Sequence, residues 1–446
     1  MDAWDMEEFL DDLEMRESTT EQEADGDEDI TSNDLYVAGE GYLFSREEEM
    51  IRRFLGGGRV SHVPLDVARY YGGLLSWALE RTVEKEQWQV CETLGIGTRP
   101  PSYERVHTAP GKWENLLTCG IMLLAIRGRR LVISIDHGMH EASVVALSPR
   151  NDEVSARRFV RSLERVMQRE NIYRGHKIQF GPTLRFLELT NRDWSDLTLP
   201  NGVKEVVLSH TVDFLKHSKQ LAEYGIPSRR GLLLTGRPGT GKTLLCKVLV
   251  NHSPNISCIV AHASGLQYGA YIDDVYKVAG DISPSIVVLE DIDLIGQDRH
   301  ASMYSRGESL AQLLFHLDGV EEGRNVVTIA TTNCVDVLDA ALKDRPSRFD
   351  RIISFEPPDL GERRAYIEYL ARRIPIPIPI RERLATMSEG LTPAQIQEVV
   401  HSVVIEGYTG QDAEPNWASV FAEHALDTAA ATVRRKASAR QARGLS

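Results

Sequence analysis

The segment GRPGTGKT, Gly236 to Thr243, constrains this chain more than any other. It fits the pattern G-x-x-x-x-G-K-[ST] at every position. It follows an apolar run, GLLLT (Gly231 to Thr235), and opens a helix-forming stretch, Thr243 to Leu249. Glycines at 236, 239 and 241 let the backbone curl so that successive N–H groups converge on phosphate oxygens. The positive end of the following helix faces the same anion. Such a loop needs a buried strand in front of it and a helix behind it. The residues Gly236, Arg237, Pro238, Gly239, Thr240, Gly241, Lys242 and Thr243 are expected to cradle ATP. Lys242 would reach the β and γ phosphates, and the Thr243 hydroxyl would ligate Mg²⁺.

A second segment completes that chemistry. SIVVLEDID, Ser285 to Asp293, reads as a buried strand ending in three carboxylates. One acid beside a phosphate loop holds Mg²⁺ through water, and the next orients and deprotonates the attacking water. The usual order is Asp then Glu; here it is Glu290 then Asp291. Glu290 is therefore one methylene longer than the usual metal-side acid, and Asp291 one shorter than the usual base. A base displaced by about 1 Å can cost on the order of a hundredfold in rate. Asp291 and Asp293 also admit a plainer reading, as surface acids in a strand-to-loop turn. VVTIATTN ends a further apolar run at Asn333, whose side chain can hold the attacking water from the other side.

Strand candidates at Gly231 to Thr235, Cys258 to Ala263, Ser285 to Leu289, Val326 to Thr331 and Ile352 to Phe355 alternate with helical stretches. That alternation predicts a parallel sheet with helices on both faces, an α/β fold. The large nucleotide-binding part is expected at 196–358 and a small helical lid at 359–428. The string IPIPIPI, Ile374 to Ile380, should interrupt the lid as a stiff extended connector. A basic C-terminal tail, 429–446, is expected to fray.

Residues 49–195 are expected to form a separate α/β domain for substrate or partner recognition. The pattern predicts helix over much of Val67 to Glu92 and over Val154 to Glu170. It predicts strands at Leu131 to Asp136, Ala142 to Leu147, Lys177 to Phe180 and Leu184 to Leu189. The HGMHE string, with His137, His140 and Glu141, sits on the turn between two of these strands and lacks metal-protease spacing. Arg157, Arg158, Arg161, Arg165 and Arg169 form a stripe on the second helix. It reads either as a solvated face or as a seat for an acidic partner, the chain's own tail included.

That tail is residues 1–48, too acidic to build a core. The first 30 residues carry 14 acidic side chains against Arg16 alone, so nearly all of the net charge of −14 lies there. Met6, Phe9, Leu10 and Leu13 share one helical face and can form a docking peptide. The remaining body is close to neutral, so nucleic acid is not an expected partner. No apolar run approaches membrane-spanning length, and five cysteines without metal spacing read as reduced thiols. These features point to the cytoplasm and away from the membrane.

The ordered set GRPGTGKT, VVLEDID, TIATTN and SRFDR resembles the AAA family of ring ATPases over residues 196 to 428. With YGIPSRRGLLLTGRPGTGKT and the Glu-Asp order, it looks most like the subgroup of the mitochondrial Rieske-protein translocase and its prokaryotic relatives. The resemblance implies that Asn333 is the polar sensor. It implies that Arg348 and Arg351 are arginine fingers serving a neighbouring subunit, hence a ring, with a hexamer the expected form. The alternative is arginines paired with Asp350 or Asp344. EGLTPAQIQEVV, Glu389 to Val400, resembles the family's lid segment, with Pro393 where Gly is usual. Tyr268-Gly269 is the candidate pore-loop position, against an ordinary packing tyrosine. No HExxH motif follows the lid, so the ring is not expected to carry its own zinc protease.

The implied function is Mg²⁺-dependent ATP hydrolysis by a chaperone-like remodeller of an unidentified protein substrate. The alternative is a nucleotide-controlled scaffold or switch with slow hydrolysis, which the reversed acid pair and the short SGLQYGAY segment favour.

Overall fold

The computed structural model describes residues 45–262, 270–293, 312–317, 325–333, 349–408 and 416–442. Two compact units emerge. The first comprises residues up to 172 together with 182–184; the second comprises 173–181 and 185–446.

The first unit contains α1 (Ser45–Phe54), β1 (Val60–Ala68), α2 (Gly72–Glu86), β2 (Gln89–Leu94), β3 (Ser102–Ala109), β4 (Lys112–Ile126), β5 (Arg129–His137), β6 (Glu141–Pro149) and α3 (Glu153–Arg169). Its antiparallel sheet runs β1-β6-β5-β4-β2, with β3 also paired to β4. Both faces are covered. Ile51 and Phe54 of α1 cluster with Ile121, Leu123, Val132, Val145 and Leu147 on one face. The alternate residues Leu124, Leu131, Ile133, Val144 and Ala146 are also fully buried, as are Leu75 and Leu79 of α2 and Phe159 and Leu163 of α3. A strand buried on both faces loses its polar alternation. That is why Ile121 to Ile126 reads in the sequence as a short apolar run, although it is the end of the 15-residue β4.

The expected helix over Val67 to Glu92 is confined to α2, and the sequence on either side of it enters β1 and β2. Gly72 is the first residue of that helix, and a Cβ there would meet the His137 ring at 3.0 Å. HGMHE does form the β5–β6 turn. The Ser76 hydroxyl donates to the Leu117 carbonyl (2.7 Å), which leaves its oxygen to accept from His137 Nε2 at 3.1 Å. Burial, with nearby Arg69 adding to it, pulls the His137 pKa down to about 4. The unfolded chain titrates near 6.5, so the stability held by neutral His137 is whole above that pH and drains as pH falls toward about 4. The melting temperature of this unit should therefore drop between pH 7 and pH 5, and His137→Gln should flatten the drop. Thermal scans across that range check it; equal slopes for both chains would contradict the assignment.

The second unit opens with β7 (Lys177–Gln179) and β8 (Arg185–Phe186). Both were expected in the front domain, but β7 pairs parallel with β10 and so extends the second sheet. Then come α4 (Val203–His210), α5 (Val212–Lys216), α6 (Ser218–Glu223), β9 (Arg229–Gly236), α7 (Lys242–Asn251), β10 (Ser257–His262), α8 (Ala270–Asp281), β11 (Ser285–Glu290), β12 (Val326–Thr332) and β13 (Arg351–Phe355). The sheet order is β13-β9-β12-β11-β10-β7-β8. Among the described residues, every pairing from β13 to β7 is parallel, and β8 alone runs antiparallel. Strands β11 and β12 are buried at every residue, as the apolar runs predict for a sheet covered on both faces.

The lid contains α9 (Leu360–Ala371), α10 (Ile378–Met387), α11 (Pro393–Tyr408), α12 (Trp417–Val420) and α13 (Glu423–Ala442). Two expectations change here. The connector is shorter than IPIPIPI, because Pro379 takes a first-turn position of α10, where its missing N–H costs nothing. The basic terminus is helical over its described residues: α13 runs to Ala442 and buries Leu426, Ala429, Ala430 and Val433 in the lid core. Its alanines favour helix, and Arg434, Arg435 and Lys436 are exposed.

Candidate active site

Parallel strands present their carboxyl ends at one edge, which is where ligands bind such sheets. Gly236, Glu290 and Asn333 stand at or just beyond the ends of β9, β11 and β12. The GRPGTGKT segment, the Glu290–Asp291 pair and Asn333 are therefore brought to one edge by sheet order.

The loop is shaped for a close anion. Gly236, Gly239 and Gly241 have φ of 140°, 80° and 109°, a region that side chains rarely tolerate. At Gly236 a Cβ would lie 2.3 Å from the Phe355 carbonyl oxygen of β13, and at Gly239 it would lie 2.7 Å from Ala394 Cβ of the lid. The Ala394 N–H donates to the Gly239 carbonyl at 3.2 Å, which ties lid to loop. A cleft of about 420 Å³ opens beside this contact. It is lined by the loop from Pro238 to Leu244, by Asp291 and Asn333, by Asp196 to Thr198, and by Tyr366, Pro393, Ala394 and Gln397 of the lid. Pro393 starts α11 at the rim of this cleft.

Lys242 is 5 % exposed and uses its ammonium fully. It donates to the Gly236 carbonyl (2.6 Å), the Arg237 carbonyl (3.2 Å) and Asn333 Oδ1 (2.9 Å). Burial lowers its pKa, and the charges of Asp291 and Asp293 oppose that shift. Asn333 in turn donates from Nδ2 to Asp291 Oδ1 at 3.2 Å, and its own N–H is held by Asp293 Oδ1 at 3.1 Å. Lys242, Asn333 and Asp291 thus form one continuous chain of hydrogen bonds at the mouth of the cleft.

Asp291 reaches this position through an unusual backbone. Its φ is 56°, left-handed, and its N–H donates to the Thr331 hydroxyl at 3.0 Å. Aspartate tolerates that region better than most residues because its short side chain can bond locally. The turn swings the carboxylate out of line with β11 and toward Asn333. Asp293 is 4 % exposed, so it is not the surface acid of the plainer reading but an anchor for Asn333.

Glu290 faces elsewhere. Burial raises its pKa, countered by His262, by Lys247 and by a hydrogen bond with the Thr243 side chain. His262 lies directly beside it in the β10–β11 register, with Nδ1 3.2 Å from Glu290 Oε2. The two residues expected to serve Mg²⁺, Thr243 and Glu290, therefore touch. Among the described residues no group of three or more His, Cys, Asp or Glu could hold a metal ion alone. A single carboxylate and a hydroxyl suit Mg²⁺, which keeps several waters and draws other ligands from substrate phosphates.

Arg351 does not line the cleft. It begins β13, is exposed, and donates from Nε to His210 Nε2 at 3.2 Å. Asp350 is engaged by Arg230 (2.8 Å) and by the Gly231 N–H (2.8 Å), so the alternative pairing of Arg351 with Asp350 is not formed. Arg348, Tyr268 and Gly269 lie outside the described residues, as do residues 1–44 with the candidate docking peptide, whereas residues 45–48, expected in the tail, already belong to α1. Three contributors were not foreseen: His262, Thr331 and the anchoring role of Asp293. The first two depend on strand register, which local sequence does not state.

Residues 232–357 match the family described as "ATPase family associated with various cellular activities (AAA)". Over 222 residues the chain is 34 % identical to the ATP-dependent zinc metalloprotease FtsH 2 of Sphaerobacter thermophilus, covering 48 % of this chain and 33 % of that protein. It is 34 % identical over 252 residues to FtsH 3 of Symbiobacterium thermophilum (54 % of this chain, 40 % of that protein). It is 31 % identical over 242 residues to the chloroplastic FTSH 9 of Arabidopsis thaliana (51 % and 30 %). The chain thus spans well under half the length of these curated relatives. The matched segment contains the loop, both acids and Asn333 in the geometry just described, and with it this chain carries an AAA-family ATPase domain.

Proposed function

We propose that the chain is a Mg²⁺-dependent ATPase that assembles into a ring, with a hexamer the expected form, and remodels protein substrates. The observation that carries this reading is the linked set Lys242–Asn333–Asp291 at the mouth of a cleft floored by the phosphate loop. Lys242 exchanges its carbonyl and Asn333 partners for phosphate oxygens when nucleotide enters. The loop N–H groups and the start of α7 receive the phosphates. Thr243 and Glu290 hold Mg²⁺, which when bound neutralises charge on the β and γ phosphates. Asn333 and Asp291 position a water in line with the γ phosphorus, and Asp291 takes its proton. The new bond is water oxygen to phosphorus, the broken one is phosphorus to the bridging oxygen, and ADP leaves. The left-handed turn at Asp291 compensates for its shorter side chain by carrying the carboxylate toward the sensor.

Arg351, exposed and away from its own cleft, serves with Arg348 the site of the next subunit. The front unit and the acidic tail select the substrate. The Glu-Asp order and the motif style support grouping the ATPase domain with the Rieske-translocase subgroup. No helix among the described residues is long and apolar enough to cross a membrane. The described cysteines, Cys91, Cys119, Cys246 and Cys258, are all free thiols. These two features support a cytoplasmic location.

A second reading, a slow nucleotide-controlled switch, is favoured by the reversed acid pair. Subunit mixing tests the ring. Lys242→Ala chains and Arg351→Ala chains should each be inactive. Mixed together they should regain a measurable fraction of turnover, because some interfaces then pair an intact loop with an intact arginine. Activity no greater than the sum of the two separate chains would sink the shared-site reading.

A further inference from the structure

Helix α3 buries Ala156, Phe159, Val160, Leu163, Val166 and Met167. At 3.6 residues per turn, Arg157, Arg158, Arg161, Arg165 and Arg169 fall within about 60° of the line opposite that buried stripe. All five are exposed. Arg157 is held by Glu153. The other four have no carboxylate partner among the described residues; Arg165 Nε donates only to the Arg161 carbonyl, at 3.2 Å. Val154, 71 % exposed, heads the same stripe. Arg158, Arg161, Arg165 and Arg169, exposed on one face without a carboxylate partner among the described residues, repel one another and call for an anion. A row this regular fits an extended or helical acidic segment better than a single phosphate.

We propose that the occupant is this chain's own acidic segment, residues 1–30, docked on the α3 stripe of the same subunit. Charge is matched, since the segment carries 14 carboxylates against one arginine. Its apolar residues Met6, Phe9, Leu10 and Leu13 can meet Val154 at the head of the stripe. Reach is sufficient. Residues 31–44 connect the segment to α1, which packs in the same unit as α3. Fourteen residues can span roughly 46 to 50 Å, whereas a unit of this size has a radius of gyration of about 14 Å. The tether raises the local concentration of the segment to the millimolar range, which lets individually weak arginine–carboxylate pairs add up. Because the pairs lie at the surface, added salt screens them.

The test uses the full chain with Arg161→Lys and Arg165→Lys, which keeps the positive charge while supplying amines. A zero-length carbodiimide then joins amines to carboxylates in contact, and peptide mass spectrometry locates the links. The expected result is links from positions 161 and 165 to acids within 1–30. They should be at least about tenfold more frequent than links from Lys112 or Lys204 to the same acids, and should be lost in high salt. Mixing isotopically heavy and light chains should show the links within single chains. Links no more frequent than that background, or links only between chains, would overturn the proposal. So would absence of tail links while the stripe still retained the chain on heparin, which would assign it to an external polyanion.

Discussion

Lys242→Ala is expected to lower ATP turnover by about 10²- to 10⁴-fold and to weaken nucleotide binding with it. Among the described residues Lys242 is the one lysine that lines the cleft, and its Nζ makes three charge-assisted hydrogen bonds there. On the proposed reading, at least two of these would pass to phosphate oxygens when nucleotide binds. Hydrogen bonds to charged groups contribute about 1.5–3 kcal/mol each, and each 1.4 kcal/mol is tenfold in rate or affinity. Alanine also releases the Gly236 and Arg237 carbonyls and Asn333 Oδ1, so some loosening of the loop is expected. The loss should nevertheless be confined to the site, because Leu245, Cys246 and Leu249 of α7 keep the helix packed in the core. Titration with a fluorescent nucleotide, alongside a thermal scan, separates the two effects. Wild-type turnover in the variant would remove Lys242 from the mechanism.

Asp291→Asn is expected to give the opposite pattern in binding. Asparagine tolerates the left-handed φ of 56° as well as aspartate does, so the turn should persist. Its amide oxygen can still accept from Asn333 Nδ2, so the sensor should stay in place. What disappears is a negative charge and a proton acceptor. Losing a general base typically costs 10²–10⁴-fold in rate, whereas removing a negative charge beside the phosphates should hold or tighten ATP affinity. Phosphate release should fall by at least about a hundredfold while ATP is retained on the protein. Glu290→Gln is the informative comparison. If it abolished turnover with ATP retained while Asp291→Asn stayed active, the two acids would have exchanged roles and the unusual order would be only apparent.

The parts of this site that were legible in the sequence are those fixed by local constraints. GRPGTGKT needs three particular glycines and a lysine within eight residues, and the apolar runs on either side announce β9 and α7. Glu290, Asp291 and Asn333 were legible because each ends a run that is buried throughout. What the sequence concealed is non-local. That β12 lies between β9 and β11, so that Asn333 bridges Lys242 and Asp291, is a matter of sheet order. That His262 sits beside Glu290 follows from the register of two parallel strands. β7 and β8 have the same local pattern whichever sheet they join. In the lid, basic residues hid a helix whose alanines, leucine and valine decide its packing, and in the front unit two-sided burial hid the length of β4. The left-handed Asp291 carries no sequence mark beyond being an aspartate.

The Lys242–Asn333–Asp291 set is expected to hydrolyse ATP. The most direct measurement is steady-state phosphate release by the full chain at saturating Mg·ATP, with Asp291→Asn assayed beside it. The expected result is sustained, Mg²⁺-dependent release at or above about one turnover per minute, even if below the 1–10³ per second typical of enzymes, and a fall of at least about a hundredfold in the variant. Tight ATP binding with no sustained release, equal in both chains, would contradict it.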